Sequence, residues 1–349
     1  MIDLRYSFEG KKVWISGHNG FKGSWLCEWL LELGAKVHGF SLPPAKPSMF
    51  EEIDIGRRLA MNETGDLQNK KAVCGSILSC NPDYVFHLGA KVIVRECFQD
   101  PVDTYATNVG GTVNVLEALR YLEKPCAAVF VTSDKVYEVP SRSIDFIESD
   151  PLGGADPYSS SKACAELAID SWRRSYFAQN PMIRVSSARA GNVIGGGDYG
   201  IDRIVPDCMR AIQDGEAIRV RNPNATRPFQ HVLDCLCGYL SLAARLHDIL
   251  GQGFAGAYNF GPDESTKVSD LVSLICAHWP YNIGWNTVTD LGVHAPESAI
   301  LSLCSQRAKR NLAWFPQYNI KQAVKETVNW YREKDKRGIT RKQIQEYMG

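Results

Sequence analysis

A doubly wound parallel α/β sheet with a smaller mixed α/β lobe beside it is the fold class this sequence predicts. Three observations predict it. Short apolar runs alternate with amphipathic stretches through the first half of the chain. A Gly-x-x-Gly-x-x-Gly loop, Gly17-His18-Asn19-Gly20-Phe21-Lys22-Gly23, follows the first apolar run and opens the first amphipathic stretch. After Gly191 the texture breaks into short segments, punctuated by Gly195-Gly-Gly197, Asn222-Pro223, Arg227-Pro228 and Gly261-Pro262.

The elements follow in order. Lys12–Ser16 reads as the first strand and Trp25–Leu33 as the first helix, closed by Gly34. Val37–Ser41 is the second strand, stopped by Pro43-Pro44. Asp83–Leu88, Ala127–Thr132 and Ile183–Ala190 are later strands, while Val102–Leu122 and Asp156–Ala178 have helical periodicity. His231–Leu250 reads as a helix that returns to the main sheet. The expected division is a Rossmann-like lobe of residues 1–197 with about 231–261, and a substrate-binding lobe of about 198–230 and 262–349.

The bulk numbers exclude several classes. A chain of 349 residues, 44% hydrophobic and 22% charged, has ordinary globular composition. Its formal net charge is +0, so no basic field invites nucleic acid or an anionic membrane. No apolar run reaches membrane-spanning length, and Met1–Ser7 lacks a secretory apolar core, so a cytoplasmic location is expected. The eleven cysteines show no Cys-x-x-Cys spacing. They read as reduced, mostly buried thiols, with no metal expected.

Each glycine of the loop has a job in a dinucleotide site: a tight turn, close approach to a pyrophosphate, and close helix–strand packing. The helix that follows presents free N–H groups to phosphates. A tight βα turn alone would also use such glycines. Ser41 ends the second strand, where many NAD sites carry an acid and this chain has none, so the strand end leaves NAD and NADP both open. Lys22 and Lys46 are candidates for a 2′-phosphate, and Asp66 and Leu67 for the adenine edge.

Tyr158 and Lys162 stand four residues apart, hence on one helix face, and no other of the fourteen tyrosines has a Lys at that spacing. An ammonium beside a phenol is expected to lower the Tyr pKa and make it a base toward a sugar or alcohol hydroxyl. Ser133, Asp134 and Lys135 stand at the exit of a central strand, where open α/β sheets bind ligands. Arg203, Arg219, Arg221 and Arg227 are candidates for bidentate phosphate contacts, or for a solvated face. His231 reads as structural, and so does His294, which is kept as a substrate-binding candidate.

Five stretches together carry a resemblance. They are Gly17-His-Asn-Gly-Phe-Lys-Gly-Ser-Trp-Leu26, Thr132-Ser-Asp-Lys135, Asp156-Pro-Tyr-Ser-Ser-Ser-Lys162, Ala188-Arg-Ala-Gly-Asn-Val-Ile-Gly-Gly-Gly-Asp198 and Arg221-Asn-Pro-Asn-Ala-Thr-Arg-Pro-Phe-Gln-His231. With these the chain resembles the extended short-chain dehydrogenase/reductases that modify nucleotide sugars, within them the 4,6-dehydratases. The resemblance implies NAD and a nucleotide-sugar substrate, CDP-glucose first. It implies that Tyr158 and Lys162 deprotonate the C4 hydroxyl, that Ser133 positions it, that Asp134 protonates the departing C6 hydroxyl, and that Lys135 is the base at C5. Asn192 would contact sugar or phosphate. A role in deoxysugar biosynthesis, as for the lipopolysaccharide O-antigen, and a homodimer pairing the helices at 102–122 and 156–178 are also implied. Alternatives are a 4-epimerase or ketoreductase on the same fold, and a non-catalytic dinucleotide sensor. Lys91, Val139, Tyr199, Phe229 and Cys304 depart from the family pattern.

Overall fold

The computed structural model describes residues 2–138, 145–248, 251–281, 283–288 and 302–349. His294 and Val139 lie outside the described residues.

Seven strands form the central sheet: β1 Lys12–Ser16, β2 Lys36–Ser41, β3 Met61–Thr64, β4 Tyr84–His87, β5 Cys126–Val131, β6 Ile183–Ala190 and β7 Gly256–Phe260. Their spatial order is 7-6-5-4-1-2-3 and every pairing is parallel. Parallel strands covered on both faces bury every side chain, which is why β5 reads as an unbroken apolar run. Ala127, Val129 and Val131 enter the core shared with the helices Phe21–Glu32 and Val232–His247. Ala128 and Phe130 enter the other, against Gly111–Leu119 and Pro157–Trp172.

Two strands carry no readable apolar pattern. β3 is an edge strand with mostly exposed side chains, and β7 is a short Gly-Ala-Tyr-Asn-Phe segment. The expected helix at 102–122 is Pro101–Leu119, interrupted by a π-helical turn at Ala106–Gly110. The first helix starts at Phe21, four residues before its apolar stripe.

Outside the central sheet the chain forms short strand pairs. Ile218–Val220 runs beside Trp285–Thr287, Thr226–Arg227 beside Thr266–Lys267, and Asp145–Phe146 beside Ser302–Leu303. The last helix, Lys336–Met348, lies instead against the Rossmann layer. Tyr347 packs on Trp29 with ring centroids 5.5 Å apart and donates to Asp234 Oδ1 at 2.7 Å. Among the described residues no helix is long and apolar enough to cross a membrane.

Candidate active site

The strand order reverses between β1 and β4, and the sheet's carboxyl end there gathers the glycine loop. Gly17 adopts φ +69°, and a Cβ on it would stand 2.7 Å from Gly89 N. A Cβ on Gly23 would meet Gly17 O at 2.1 Å. Protein packing therefore demands both glycines. At Gly20 an added Cβ meets only Gly17 O, at 3.5 Å, so packing does not demand glycine there. Gly20 also caps the helix Phe21–Glu32, whose N-terminal N–H groups suit an anion. An open backbone at a helix N-terminus fits the pyrophosphate of a dinucleotide.

His18 is buried, its Nε2 2.8 Å from Asn62 Oδ1 and its Nδ1 2.9 Å from Ser41 Oγ. Burial lowers its pKa, so the ring is a neutral strut between loop and sheet. Asn19 donates to Leu42 O at 2.7 Å. Beside them opens a cavity of about 440 Å³ that Ser41, Glu51, Asp54, Arg57 and Glu63 help to line. Glu63 pairs in register with Phe40, so β3 brings to this edge the acid that β2 lacks. Asp66 Oδ1 accepts from Gln68 N at 2.9 Å, while Leu67 packs under Gly89 and Gly111.

The 2′-phosphate expectation for Lys22 and Lys46 is corrected. Lys22 turns inward, its Nζ 3.4 Å from the buried Tyr239 hydroxyl, and its charge acts on Asp134 and Lys162. Lys46 pairs with Glu51 at 3.4 Å. Lys22 is drawn inward by a partner far off in sequence, while Lys46 stands exposed beside an acid that lines the cavity.

Tyr158 and Lys162 are buried together near the start of the helix Pro157–Trp172, which Asp156 caps by accepting from Ser159 N at 2.9 Å. The expected depression of the Tyr158 pKa is also corrected. Burial pushes the phenol up to about 12, while a hydrogen bond with Ser133 and the charge of Arg203 pull the other way. Lys162 itself is brought down to about 8, by burial first and then by Lys22. Its Nζ donates to Val131 O at 3.3 Å. Desolvation of the phenolate thus outweighs the Ser133 hydrogen bond and the charge of Arg203.

Ser133 Oγ lies 3.0 Å from Asp134 Oδ1 and accepts from Lys135 N at 3.2 Å. Asp134 is buried, and its Oδ2 has no hydrogen-bond partner in the protein. Burial raises its pKa, against the opposing charges of Lys135, Lys22 and Arg227 and the Ser133 hydrogen bond. Burial favours the neutral form of such a carboxyl, the form a general acid needs. Tyr158, Ser133 and Asp134 thus form one cluster of an acid, a hydroxyl and a phenol.

Several residues of this site escaped the sequence reading. Asn108, on the π turn, donates to Ser161 Oγ at 2.9 Å and Lys91 O at 3.1 Å, tying the loop after β4 to the Tyr158 helix. His87 bridges Ser16 and Thr112 at 2.7 and 3.1 Å, and burial lowers its pKa to about 3. Arg95 follows β4, and its place beyond a strand's carboxyl end was the available signal.

The arginines separate. Arg203 is bound to Asp198, Nη1 lying 2.9 and 3.0 Å from the two carboxylate oxygens. Arg219 is exposed, on the face opposite the buried Ile218 and Val220. Arg227 donates to its neighbour's carbonyl and acts on Asp134. Arg221 lies 3.4 Å from Asp202 Oδ1. Asn192 is exposed, and its carbonyl accepts from Gln230 N at 3.0 Å. His231 is fully buried, its Nδ1 capping Val232–His247 by accepting from Leu233 N. Lys91 pairs with Asp103, Tyr199 donates to Glu52 at 2.7 Å, Phe229 is core, and Cys304 O accepts from Asn259 at 3.3 Å. All eleven cysteines are free, and among the described residues no His, Cys, Asp and Glu group could hold a metal.

Fold and site together define a Rossmann-type enzyme class built around a Tyr-x-x-x-Lys pair. Residues 14–327 match the family model described as GDP-mannose 4,6 dehydratase, and the chain belongs to that branch of the extended short-chain dehydrogenase/reductase family. It is similar over its whole length to the CDP-glucose 4,6-dehydratase of Salmonella typhimurium, with 38% identity, covering 100% of this chain and 99% of that protein. The CDP-paratose 2-epimerase of Salmonella typhi is 24% identical over 91% of this chain and 98% of its own. Among solved structures, an epimerase from Methanothermobacter thermautotrophicus superposes with a TM-score of 0.79 at 21% identity, covering 99% of this chain and 97% of that one. The dTDP-glucose 4,6-dehydratase of Bacillus anthracis superposes with a TM-score of 0.75 at 22% identity, covering 93% and 97%.

Proposed function

We propose that this chain is an NAD-dependent nucleotide-sugar 4,6-dehydratase, with CDP-glucose as its substrate and CDP-4-keto-6-deoxyglucose as its product. The observation that carries the reading is Asp134: a buried carboxyl with a raised pKa and an unpartnered Oδ2, beside Ser133 in the cluster that holds Tyr158. A 4-epimerase needs no acid at that point, whereas elimination of a C6 hydroxyl does.

Gly17, Gly20 and Gly23 would hold the pyrophosphate of NAD, with Ser41 and Glu63 toward its ribose. NAD, when bound, supplies the hydride acceptor for C4 and returns the hydride to C6. Tyr158, as its phenolate, would take the C4 hydroxyl proton with Ser133 holding that oxygen, the positive charges of Lys162 and of bound NAD offsetting the burial that otherwise holds the phenol high. The 4-ketone acidifies the C5 proton, which Lys135 removes and later gives back to C5 as the hydride returns to C6. Asp134 gives its proton to the departing C6 hydroxyl, and water leaves. Arg227 and Arg221 serve the diphosphate from the smaller lobe, formed by about 198–230 and 262–349 without the last helix, which lies against the Rossmann layer. A homodimer in the cytoplasm completes the reading, supported by Phe98, Val102 and Tyr105 exposed on one set of helices and Leu167 and Tyr176 on the other, and by the free thiols.

Incubation with CDP-, dTDP-, GDP- and UDP-glucose without added reductant tests it by mass. CDP-glucose losing one water is the expected result. A 4-epimer of unchanged mass would sink the dehydratase reading, and no conversion of any sugar would favour a sensor.

A further inference from the structure

Asp202 occupies the turn before the helix Ile204–Gln213, with φ 59°, a left-handed backbone that few non-glycine residues adopt. Its Oδ1 lies 3.2 Å from Arg95 Nη1 and 3.4 Å from Arg221 Nη1. Arg95 belongs to the helix Val94–Gln99, which packs on the Tyr158 helix. Arg221 follows the strand Ile218–Val220 of the smaller lobe. One carboxylate oxygen thus draws together guanidinium groups from both sides of the site. The catalytic cluster is close by: Arg203, next in sequence to Asp202, and Cys97, two residues beyond Arg95, both act electrostatically on Tyr158.

We propose that Asp202 is a latch that the substrate's diphosphate displaces, and that Arg95 joins Arg221 as a phosphate ligand once it opens. The proposal rests on the nucleotide-sugar reading above. Both contacts are partly exposed, with side-chain exposures of 29–40%, so solvent screens them and they yield readily. Guanidinium forks match phosphoryl oxygens bidentately. A diphosphate offers each arginine its own phosphoryl group, whereas Asp202 shares one oxygen between two. The Arg203–Asp198 pair shows the contrast: one nitrogen engages both oxygens of a carboxylate whose side chain is only 6% exposed. That pair is built to stay closed.

Titration calorimetry of the full-length protein with CDP and with CMP tests the latch. Asp202→Asn should bind CDP about fivefold more tightly than the unmodified protein, roughly 1 kcal/mol, and change CMP affinity less than about twofold. Asp202→Gly, which suits the left-handed backbone, should behave alike if the amide disturbs the turn. Arg95→Gln should weaken CDP about tenfold or more. Unchanged or weaker CDP binding in both Asp202 variants, or unchanged binding in Arg95→Gln, overturns the latch while leaving the dehydratase reading standing. An unmodified protein that binds no nucleoside diphosphate overturns both.

Discussion

Glu166 and Arg189 form an ion pair closed to solvent at both ends: Arg189 Nη2 lies 2.8 Å from Glu166 Oε2, with side-chain exposures of 4% and 3%. Glu166 comes from the Tyr158 helix, one turn beyond Lys162, and Arg189 from β6. Thr132 and Ser187 also donate to Glu166, at 2.5 and 2.7 Å, and Arg189 donates to the Tyr137 hydroxyl at 2.9 Å. The pair bolts the catalytic helix to the carboxyl ends of β5 and β6. A buried pair adds little over a well-packed apolar pair, but losing one partner strands the other charge.

Glu166→Ala should therefore destabilise the protein by about 3–5 kcal/mol in urea unfolding. The double variant Glu166→Met with Arg189→Met should recover a large part of that loss. A Glu166→Ala protein as stable as the parent would show that Arg189 finds another counter-charge.

Asp134→Asn should lower the dehydration rate by about 10²–10⁴-fold, the usual worth of a positioned acid. Oxidation at C4 should persist, seen as NADH absorbance after mixing with CDP-glucose. Normal water loss in this variant would remove Asp134 from the role of acid.

Lys162 makes stability depend on pH in a definite direction. Its pKa is about 8 in the fold against 10.5 for the free side chain, so below pH 8 folding keeps an ammonium buried at a cost. Between the two values the unfolded chain binds more protons, and this contribution to stability rises with pH. Lys162→Met should then stabilise the protein at pH 7 by up to roughly 3 kcal/mol, with the difference shrinking toward pH 10. Tyr158 acts oppositely at higher pH: with its pKa raised to about 12, it withdraws stability as pH climbs from 10 to 12. Unfolding curves at pH 7 and pH 9.5 check the sign. A variant less stable than the parent at pH 7 would refute it.

Gly20→Ala and Gly23→Ala should fail differently. The Cβ at residue 23 meets Gly17 O at 2.1 Å, so that variant loses thermal stability. At residue 20 the protein leaves room, so Gly20→Ala should fold normally and lose dinucleotide affinity, about tenfold or more in a fluorescence titration.

NAD should bind more tightly than NADP, by about tenfold or more, because Glu51, Asp54 and Glu63 against the single Arg57 line the cavity beside Ser41. Glu63→Gln should narrow that preference. Equal affinities in the parent protein would place the ribose elsewhere.

Much of this was legible in the chain itself. The apolar runs of β1, β4, β5 and β6, the glycine spacing at 17, 20 and 23, and the four-residue gap from Tyr158 to Lys162 are local patterns. They specify a parallel sheet, a phosphate turn and a shared helix face because backbone geometry acts over a few residues. β3 was not legible, since an edge strand with exposed side chains needs no apolar alternation.

What only the tertiary structure decided are quantities set by distant segments. Lys22 turns toward Tyr239, 217 positions away, rather than toward a ribose phosphate. Tyr158 titrates high because the layers around it exclude water, and desolvation is a property of the packed interior. Arg95 meets Arg221 through Asp202 because folding brings the segment after β4, the turn at Asp202 and the end of Ile218–Val220 together. The sequence alone determined which groups the chemistry has to work with. Their protonation and their partners wait on the fold, because both depend on neighbours that only packing brings near.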